Sequence, residues 1–302
     1  MQNMVIDLPP LPIQHQISAI FSAFDDKIEL NRQMNRTLEA MARALFQSWF
    51  VDFDPVRAKM RGEQPEGMDA ETATLFPDGL EMVEGREVPK GWDFSSLSKI
   101  YVNQKNVVLT GPFGSTLHAS DYAEEGIPLI LVKNIGYGNF QSDKMPKVEL
   151  EKAKTLSKYL TKENDIVFTR VGAVGRSALV RREQAGWIIS GQMLRVRLGT
   201  DTMVEPIYLS KIYSDKKFIS LVEASALGTT RASLNTNLLL NFKFLNPDIR
   251  VQKRFVEYIT GLESLMQINK NESGRLAQLR DSLLPRLLSG ELDISGGAEV
   301  LA

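Results

Sequence analysis

Hydrophobic positions in the chain recur with steps of four and three over two long stretches. In the first, from Pro9 to about Phe53, the series is Ile17, Phe21, Phe24, Ile28, Asn31, Asn35, Leu38, Ala42, Leu45 and Trp49. In the second, from Pro247 to about Leu288, it is Phe255, Ile259, Leu262, Met266, Asn269, Ser273, Leu276, Arg280 and Leu283. The two stretches superimpose at an offset of 238 residues, with Gln14 and Gln252 setting the register. A 4-3 rhythm is a heptad seam, which calls for a partner helix rather than a broad core. At about 1.5 Å per residue, positions 17–53 would span roughly 55 Å. Repeats of roughly 20–50 residues mark solenoids; a pair so far apart marks two equivalent struts with something different between them. Asn31 and Asn269 interrupt both seams at the same step, and a buried Asn at such a position fixes register and partner at some loss of stability. The helix-packing positions expected are therefore Phe21, Phe24, Ile28, Asn31, Leu38 and Leu45 with Phe255, Ile259, Leu262, Met266, Asn269 and Leu276.

Between the struts the pattern changes. Residues 56–91 hold eight Gly or Pro and little periodicity, and read as an acidic, turn-rich connector. Beyond Trp92, short apolar runs alternate with glycines. Strands are expected at Ile127–Ile135, Asp165–Val171 and Ala178–Val180, and a long strand or hairpin at Trp187–Leu198 with Gly191 as a bulge candidate. Helices are expected at Pro206–Tyr213 and Lys217–Leu227, the latter stopped by Gly228, and a closing strand at Leu238–Leu245. Pro285 should kink or end the second long helix. Met4–Pro10 mirrors Leu239–Pro247 and reads as the last strand of a domain that would precede it. The expected class is α+β: one mixed α/β domain flanked by two long helices packing as an antiparallel coiled coil. The expected divisions are 1–55 for the first helix, 56–91 for the connector, 92–246 for the mixed domain, and 247–302 for the second helix and tail.

Composition narrows the function. The chain has 43% hydrophobic and 24% charged residues and a net charge of −1, in the ordinary globular range. That balance conceals an asymmetry: residues 61–95 carry 3 basic and 9 acidic side chains, whereas residues 96–245 carry 20 basic and 13 acidic, a net of +7. A basic middle segment suits an anionic partner such as nucleic acid. There is no run of 18 apolar residues, Met1–Pro12 lacks the pattern of a secretory signal, and cysteine is absent. These point to a cytoplasmic protein with no membrane partner, no disulfides and no cysteine-based metal or catalytic site. His15 and His118 stand alone, Gly136–Gly138 and Gly172–Gly175 lack the remainder of a nucleotide-binding motif, and Glu149 and Glu151 lack the spacing of a metal nuclease. No metal site, no cofactor and no catalytic residue are expected.

The candidate nucleic-acid contacts are polar residues on turns between the expected strands: Lys133 and Asn134; Thr169, Arg170 and Arg176 around the Gly172–Gly175 turn; Ser190 and Gln192 around Gly191; and Thr229, Thr230 and Arg231 after Gly228. Side chains there would reach base edges, with neighbouring Lys and Arg on phosphates. Each has an alternative as a solvated loop or capping residue.

Three long motifs then become familiar. Leu8–Gln14, Phe24–Ile28, Leu38–Arg43 and Trp49–Val56 resemble the central spacer of type I restriction–modification specificity subunits. Arg280–Leu292 is similar to their C-terminal end. Gly111–Ser115, Asp121-Tyr122, Gly126–Pro128, Asn134-Ile135 and Asp165–Gly172 resemble, more loosely, a target recognition domain. The resemblance implies a non-catalytic subunit that binds double-stranded DNA and docks methylation and restriction subunits through its helices. S-adenosylmethionine, ATP and Mg²⁺ would then belong to those partners. The family has two recognition domains; one is seen here, so the chain looks like a half-sized or N-terminally truncated subunit, for which a homodimer would restore the second domain. The rival readings are an enzyme fused to a coiled coil, an assembly-only scaffold, and a truncated remnant without specific DNA binding.

Overall fold

The computed structural model describes residues 9–114, 116–141, 144–199, 203–226, 233–289 and 291–292. The expected strand at Met4–Pro10 lies almost wholly outside them, as do Gly228 and the tail beyond Leu292. Two compact units emerge, one formed by the chain up to Gln47 together with residues from Glu257 onward, the other by Ser48–Val256. These boundaries differ from the expected ones: the second unit takes in the end of the first strut, the connector and the start of the second strut.

The first unit contains α1 (Leu11–Gln47) and most of the last helix, Ile249–Leu288. Asn31 Nδ2 donates to Glu272 Oε2 at 2.8 Å and Ser273 Oγ at 3.3 Å, and Asn269 Nδ2 donates to Asn35 Oδ1 at 2.9 Å. Arg280 reaches Asp25 at 2.7 Å, and Lys27 approaches Glu272 at 3.5 Å. Partner numbers fall as those of α1 rise, so these contacts run antiparallel. Under the 238-residue repeat, Asn31–Ser273 and Asn269–Asn35 are one contact exchanged between the two copies. Along α1 the seam residues Ile17, Ile28, Asn31 and Ala42 are buried, and Phe21, Phe24, Leu38 and Leu45 are half-buried. In the other helix Ile259 and Asn269 are buried and Leu262, Met266 and Leu276 half-buried. Pro285 does not end that helix, which continues for three residues to Leu288.

The second unit opens with a π-helical turn, Ser48–Asp52, and Phe53 in a left-handed conformation at φ 57°. The expected connector is more structured than its composition suggested. It forms α2 (Asp54–Met60), α3 (Ala70–Thr74, capped by the Asp69 carboxylate) and the hairpin β1–β2 (Leu80–Val83, Arg86–Pro89). Phe76 from this stretch and Trp92 just after it join Trp49, Phe50 and Phe255 in an aromatic core, with Phe50–Phe255 centroids 5.0 Å apart and Trp49–Phe76 also 5.0 Å apart. The hydrophobic residues that build this core are spaced irregularly, which is why periodicity missed the elements carrying them.

There follow β3 (Asp93–Ser95), α4 (Leu97–Ile100), β4 (Val108–Thr110), β5 (Tyr122–Ala123), β6 (Ile127–Ile130), β7 (Lys147–Val148), α5 (Leu150–Thr155), β8 (Ile166–Thr169) and β9 (Ser177–Leu179). Next come β10 (Ile188–Ile189), β11 (Met193–Val196), α6 (Pro206–Ser214), α7 (Lys216–Ala226), α8 (Thr236–Asn241) and β12 (Phe244–Asn246), before α9 (Ile249–Leu288). Two four-stranded sheets, β10-β6-β7-β5 and β4-β11-β8-β9, enclose a core that includes Leu129, Ile130, Val167, Ala178, Ile189 and Met193. The expected strand or hairpin at Trp187–Leu198 is two strands that do not pair with each other and lie in different sheets, β10 parallel to β6 and β11 antiparallel to β4 and β8. The chain crosses between sheets at Ser190-Gly191-Gln192. The expected strand at Ile127–Ile135 ends at Ile130 and gives way to a 3₁₀ turn at Val132–Asn134. The expected closing strand Leu238–Leu245 is α8 followed by β12, which pairs antiparallel with β3. A continuous apolar run suits a buried strand or a helix equally, and Asn235 Oδ1, accepting Leu238 N at 2.8 Å, caps the helix.

Candidate nucleic-acid interface

The loops at one end of the two sheets are stitched together by the backbone. Arg170 N donates to Gln192 O at 2.8 Å, Ser190 N to Ile130 O at 3.1 Å, Gly111 N to Met193 O at 3.0 Å and Gly138 N to Ser177 O at 2.8 Å. Two glycines permit this convergence. A Cβ on Gly111 would lie 2.0 Å from Ser190 O, and one on Gly191 would lie 2.3 Å from Pro112 O. Gly191→Ala is expected to pry the 111–113 segment from the sheet crossing, at a cost of about 1–3 kcal/mol from overpacking. Thermal unfolding measures it, and an unchanged midpoint would show that the backbone relaxes freely there.

The Gly172–Gly175 turn joins β8 to β9, with both glycines at positive φ (78° and 83°). Thr169 is fully buried, and its hydroxyl donates to Ala173 O and to Arg176 O at 3.3 Å, riveting the turn from beneath. Asn134 is likewise fully buried, its Oδ1 accepting Leu131 N at 3.0 Å to cap the 3₁₀ turn. Ser190 is 7% exposed. In this structure these three shape the loops and do not present their side chains to solvent. Lys133 and Gln192 are exposed, and Arg170 and Arg176 partly so. Thr229, Thr230 and Arg231 lie outside the described residues.

The two arginines of the turn each lie over an aromatic ring: Arg170 is 5.7 Å from the Phe113 centroid and Arg176 is 5.0 Å from that of Tyr137. Both rings face solvent, at 60% and 62% exposure. Neither guanidinium pairs with a carboxylate among the described residues, whereas Arg57, Arg61, Arg197, Arg250 and Arg254 each reach one within 3.1 Å. Phe113 and Tyr137 were not among the expected contacts. Their signal was present as an aromatic residue set between glycines, in Gly111–Gly114 and Gly136–Gly138.

Behind the loops, Asp165 is 1% exposed and holds Arg197 through two bonds of 2.7 and 2.5 Å. Arg195, 3% exposed, donates to Lys158 O at 3.0 Å and Leu160 O at 3.3 Å, with its Nε 3.9 Å from Asp165. Burial pulls the Arg195 pKa below its ordinary value, and the nearby Asp165 charge opposes that fall. These two arginines belong to the scaffold. Among the described residues no group of three or more His, Cys, Asp or Glu side chains could hold a metal ion, and no helix is long and apolar enough to cross a membrane.

The second unit is thus a mixed α/β unit with an arginine–aromatic loop end, and the first contains two long helices whose contacts run antiparallel. The family model described as the type I restriction modification DNA specificity domain matches residues 1–40. The HindI type I restriction enzyme specificity subunit of Haemophilus influenzae is 28% identical over 96% of this chain and 69% of its own length. The MjaIX type I restriction enzyme specificity subunit of Methanocaldococcus jannaschii is 26% identical over 97% of this chain and 62% of its own. The crystal structure of a type I restriction–modification S subunit from M. genitalium shares the fold, with a TM-score of 0.55 at 15% identity, covering 92% of this chain and 61% of that one. The chain is thus similar to type I restriction–modification specificity subunits over nearly its whole length, and its first 40 residues match the model of their DNA specificity domain. It spans 60–69% of the length of the curated relatives it matches.

Proposed function

We propose that this chain is the DNA sequence-recognition subunit of a type I restriction–modification complex in the cytoplasm, and that its second unit reads one half-site of double-stranded DNA. The observation that carries the reading is the loop end where Arg170 and Arg176, both partly exposed, lie over aromatic rings with no carboxylate partner among the described residues, in a segment of net charge +7 over residues 96–245. Bases would be read by these loops and phosphates met by flanking cations such as Lys133. The two long helices pack as an antiparallel coiled coil along the full seam and dock methylation and restriction subunits, which bring S-adenosylmethionine, ATP and Mg²⁺. The exchange of Asn31–Ser273 for Asn269–Asn35 under the repeat supports a pseudo-twofold frame. Two copies of the chain in one complex would present two identical recognition units, and the modified site would be a gapped inverted repeat.

The test is a duplex-DNA titration across salt, followed by mapping of modified sites after co-expression with a methylation subunit. Log affinity should fall against log salt with a slope of about −0.9 per phosphate contact, a loss of roughly 10³–10⁵ between 50 and 200 mM for 6–10 contacts. A flat titration would remove DNA binding from the proposal. An asymmetric modified motif would remove the paired copies and leave the DNA reading standing.

A further inference from the structure

We infer that Arg170 and Arg176 each read a guanine, and that Phe113 and Tyr137 are the positioning residues that give them that specificity. The inference rests on the DNA reading proposed above. Four observations lead to it. Each guanidinium lies over a ring, at 5.7 and 5.0 Å. Each ring is exposed, at 60% and 62%. The Nε of Arg176 is buried and has no hydrogen-bond partner among the described residues, so the protein does not satisfy this guanidinium by itself. The four residues sit on loops tied to one another by backbone bonds or adjacent to them, Arg170 N to Gln192 O at 2.8 Å and Gly138 N to Ser177 O at 2.8 Å.

A flexible arginine on a solvated loop samples many rotamers, and most of that freedom is lost on binding. A guanidinium held over a ring has less of that freedom left to lose, and its planar fork can meet two acceptors at a fixed separation. In the major groove the O6 and N7 of guanine offer that pair, and the arginine–guanine contact is the commonest specific one. A phosphate offers two acceptors as well. It lies on the rim of the duplex, however, where an exposed apolar ring beside the arginine gains nothing. Within the groove the same ring can cover a thymine methyl or the face of an unstacked base. The geometry therefore favours base edges over phosphates.

The experiment is selection of bound duplexes from a randomised library by the full chain, followed by titrations of the selected duplex and of the same duplex with 7-deazaguanine at each selected guanine. The wild-type motif should contain guanine at two or more positions. Arg170→Ala and Arg176→Ala should each erase the preference at one of them, by roughly 10- to 100-fold, and become insensitive to 7-deazaguanine there. Phe113→Ala and Tyr137→Ala should weaken the preference at the same two positions by about 2- to 5-fold, the size of an exposed cation–π contact, with the salt slope unchanged. Phe113→Tyr and Tyr137→Phe, which keep the ring, should restore it. All four positions are at the surface or partly so, and circular dichroism confirms folding of each variant.

If the arginine variants instead lose affinity equally for all duplexes and the salt slope falls by about one contact each, they are phosphate ligands and the inference is wrong. It is equally wrong if the ring-removing variants leave the guanine preference intact. A selected motif that none of the four variants alters would overturn it while leaving the DNA reading in place. A wild-type chain that selects no motif would overturn both.

Discussion

Asp165→Asn is expected to destabilise the second unit by about 3–5 kcal/mol, because it leaves a buried cation uncompensated. Asp165 and Arg195 are 1% and 3% exposed. The carboxylate also accepts Arg197 at 2.7 and 2.5 Å and Lys162 N at 2.7 Å. An asparagine of the same shape keeps one acceptor oxygen and removes the charge, so the penalty is mainly electrostatic. The three tryptophans of the chain, Trp49, Trp92 and Trp187, all fall in this unit, so their fluorescence during urea unfolding reports on it directly. The midpoint should fall with the slope unchanged, as for a loss of stability without a change in the surface exposed. Glu87→Gln is the control. It breaks the Arg57–Glu87 pair, whose side chains are 46% and 53% exposed, and should cost no more than about 1 kcal/mol. A shift for Asp165→Asn no larger than the control's would mean that Arg195 finds its compensation elsewhere.

Phe255→Ala should cost a similar amount, about 3–5 kcal/mol, for a different reason: a cavity among rings that cannot collapse onto it. Phe255 is fully buried, with ring centroids of Phe50, Trp49 and Tyr208 at 5.0, 6.1 and 6.4 Å. Tyr208 is itself anchored, its hydroxyl donating to Leu245 O at 2.8 Å, and burial drives the pKa of that hydroxyl far above its ordinary value. Phe255→Leu, which refills much of the volume, should lose under half as much. On the same helix Ile268 is 61% exposed, and Ile268→Ala should stay within about 0.5 kcal/mol. Calorimetry distinguishes these outcomes. If Phe255→Ala and Ile268→Ala shift the transition alike, the ring cluster is not the core of this unit.

How far the sequence could be read depended on whether a feature repeats. The two long helices and their polar interruption were legible, because a 4-3 rhythm held over tens of residues leaves few alternatives. The structure adds which residues meet: Asn31 bonds Glu272 and Ser273, while its repeat-mate Asn269 bonds Asn35. Gln14 and Gln252, chosen only to set the register, donate the same bond five residues back, to Pro9 O at 2.7 Å and Pro247 O at 2.8 Å. The connector at 56–91 was not legible, since its apolar residues follow no period and acquire meaning only when Phe76 reaches the aromatic core.

The candidate loop end shows the same division. Arg170 and Arg176 could be picked from the glycine turn that exposes them, because a tight turn between strands must sit at a sheet end. Thr169, Asn134 and Ser190 are the same residue types in similar settings, yet the fold turns them inward to satisfy or line the loops. Alternation and turn chemistry do not record which way a short polar side chain points once two sheets close over it. Phe113 and Tyr137 lie 57 and 39 residues from the arginines they meet. Local order, helix register and the sign of the charge were determined by the sequence itself, because each depends on neighbours a few positions away. The pairing of ring with guanidinium and of Asp165 with Arg195 was decided by tertiary structure alone, because the first needs loops distant in sequence to converge and the second needs β8 and β11 to pair side by side.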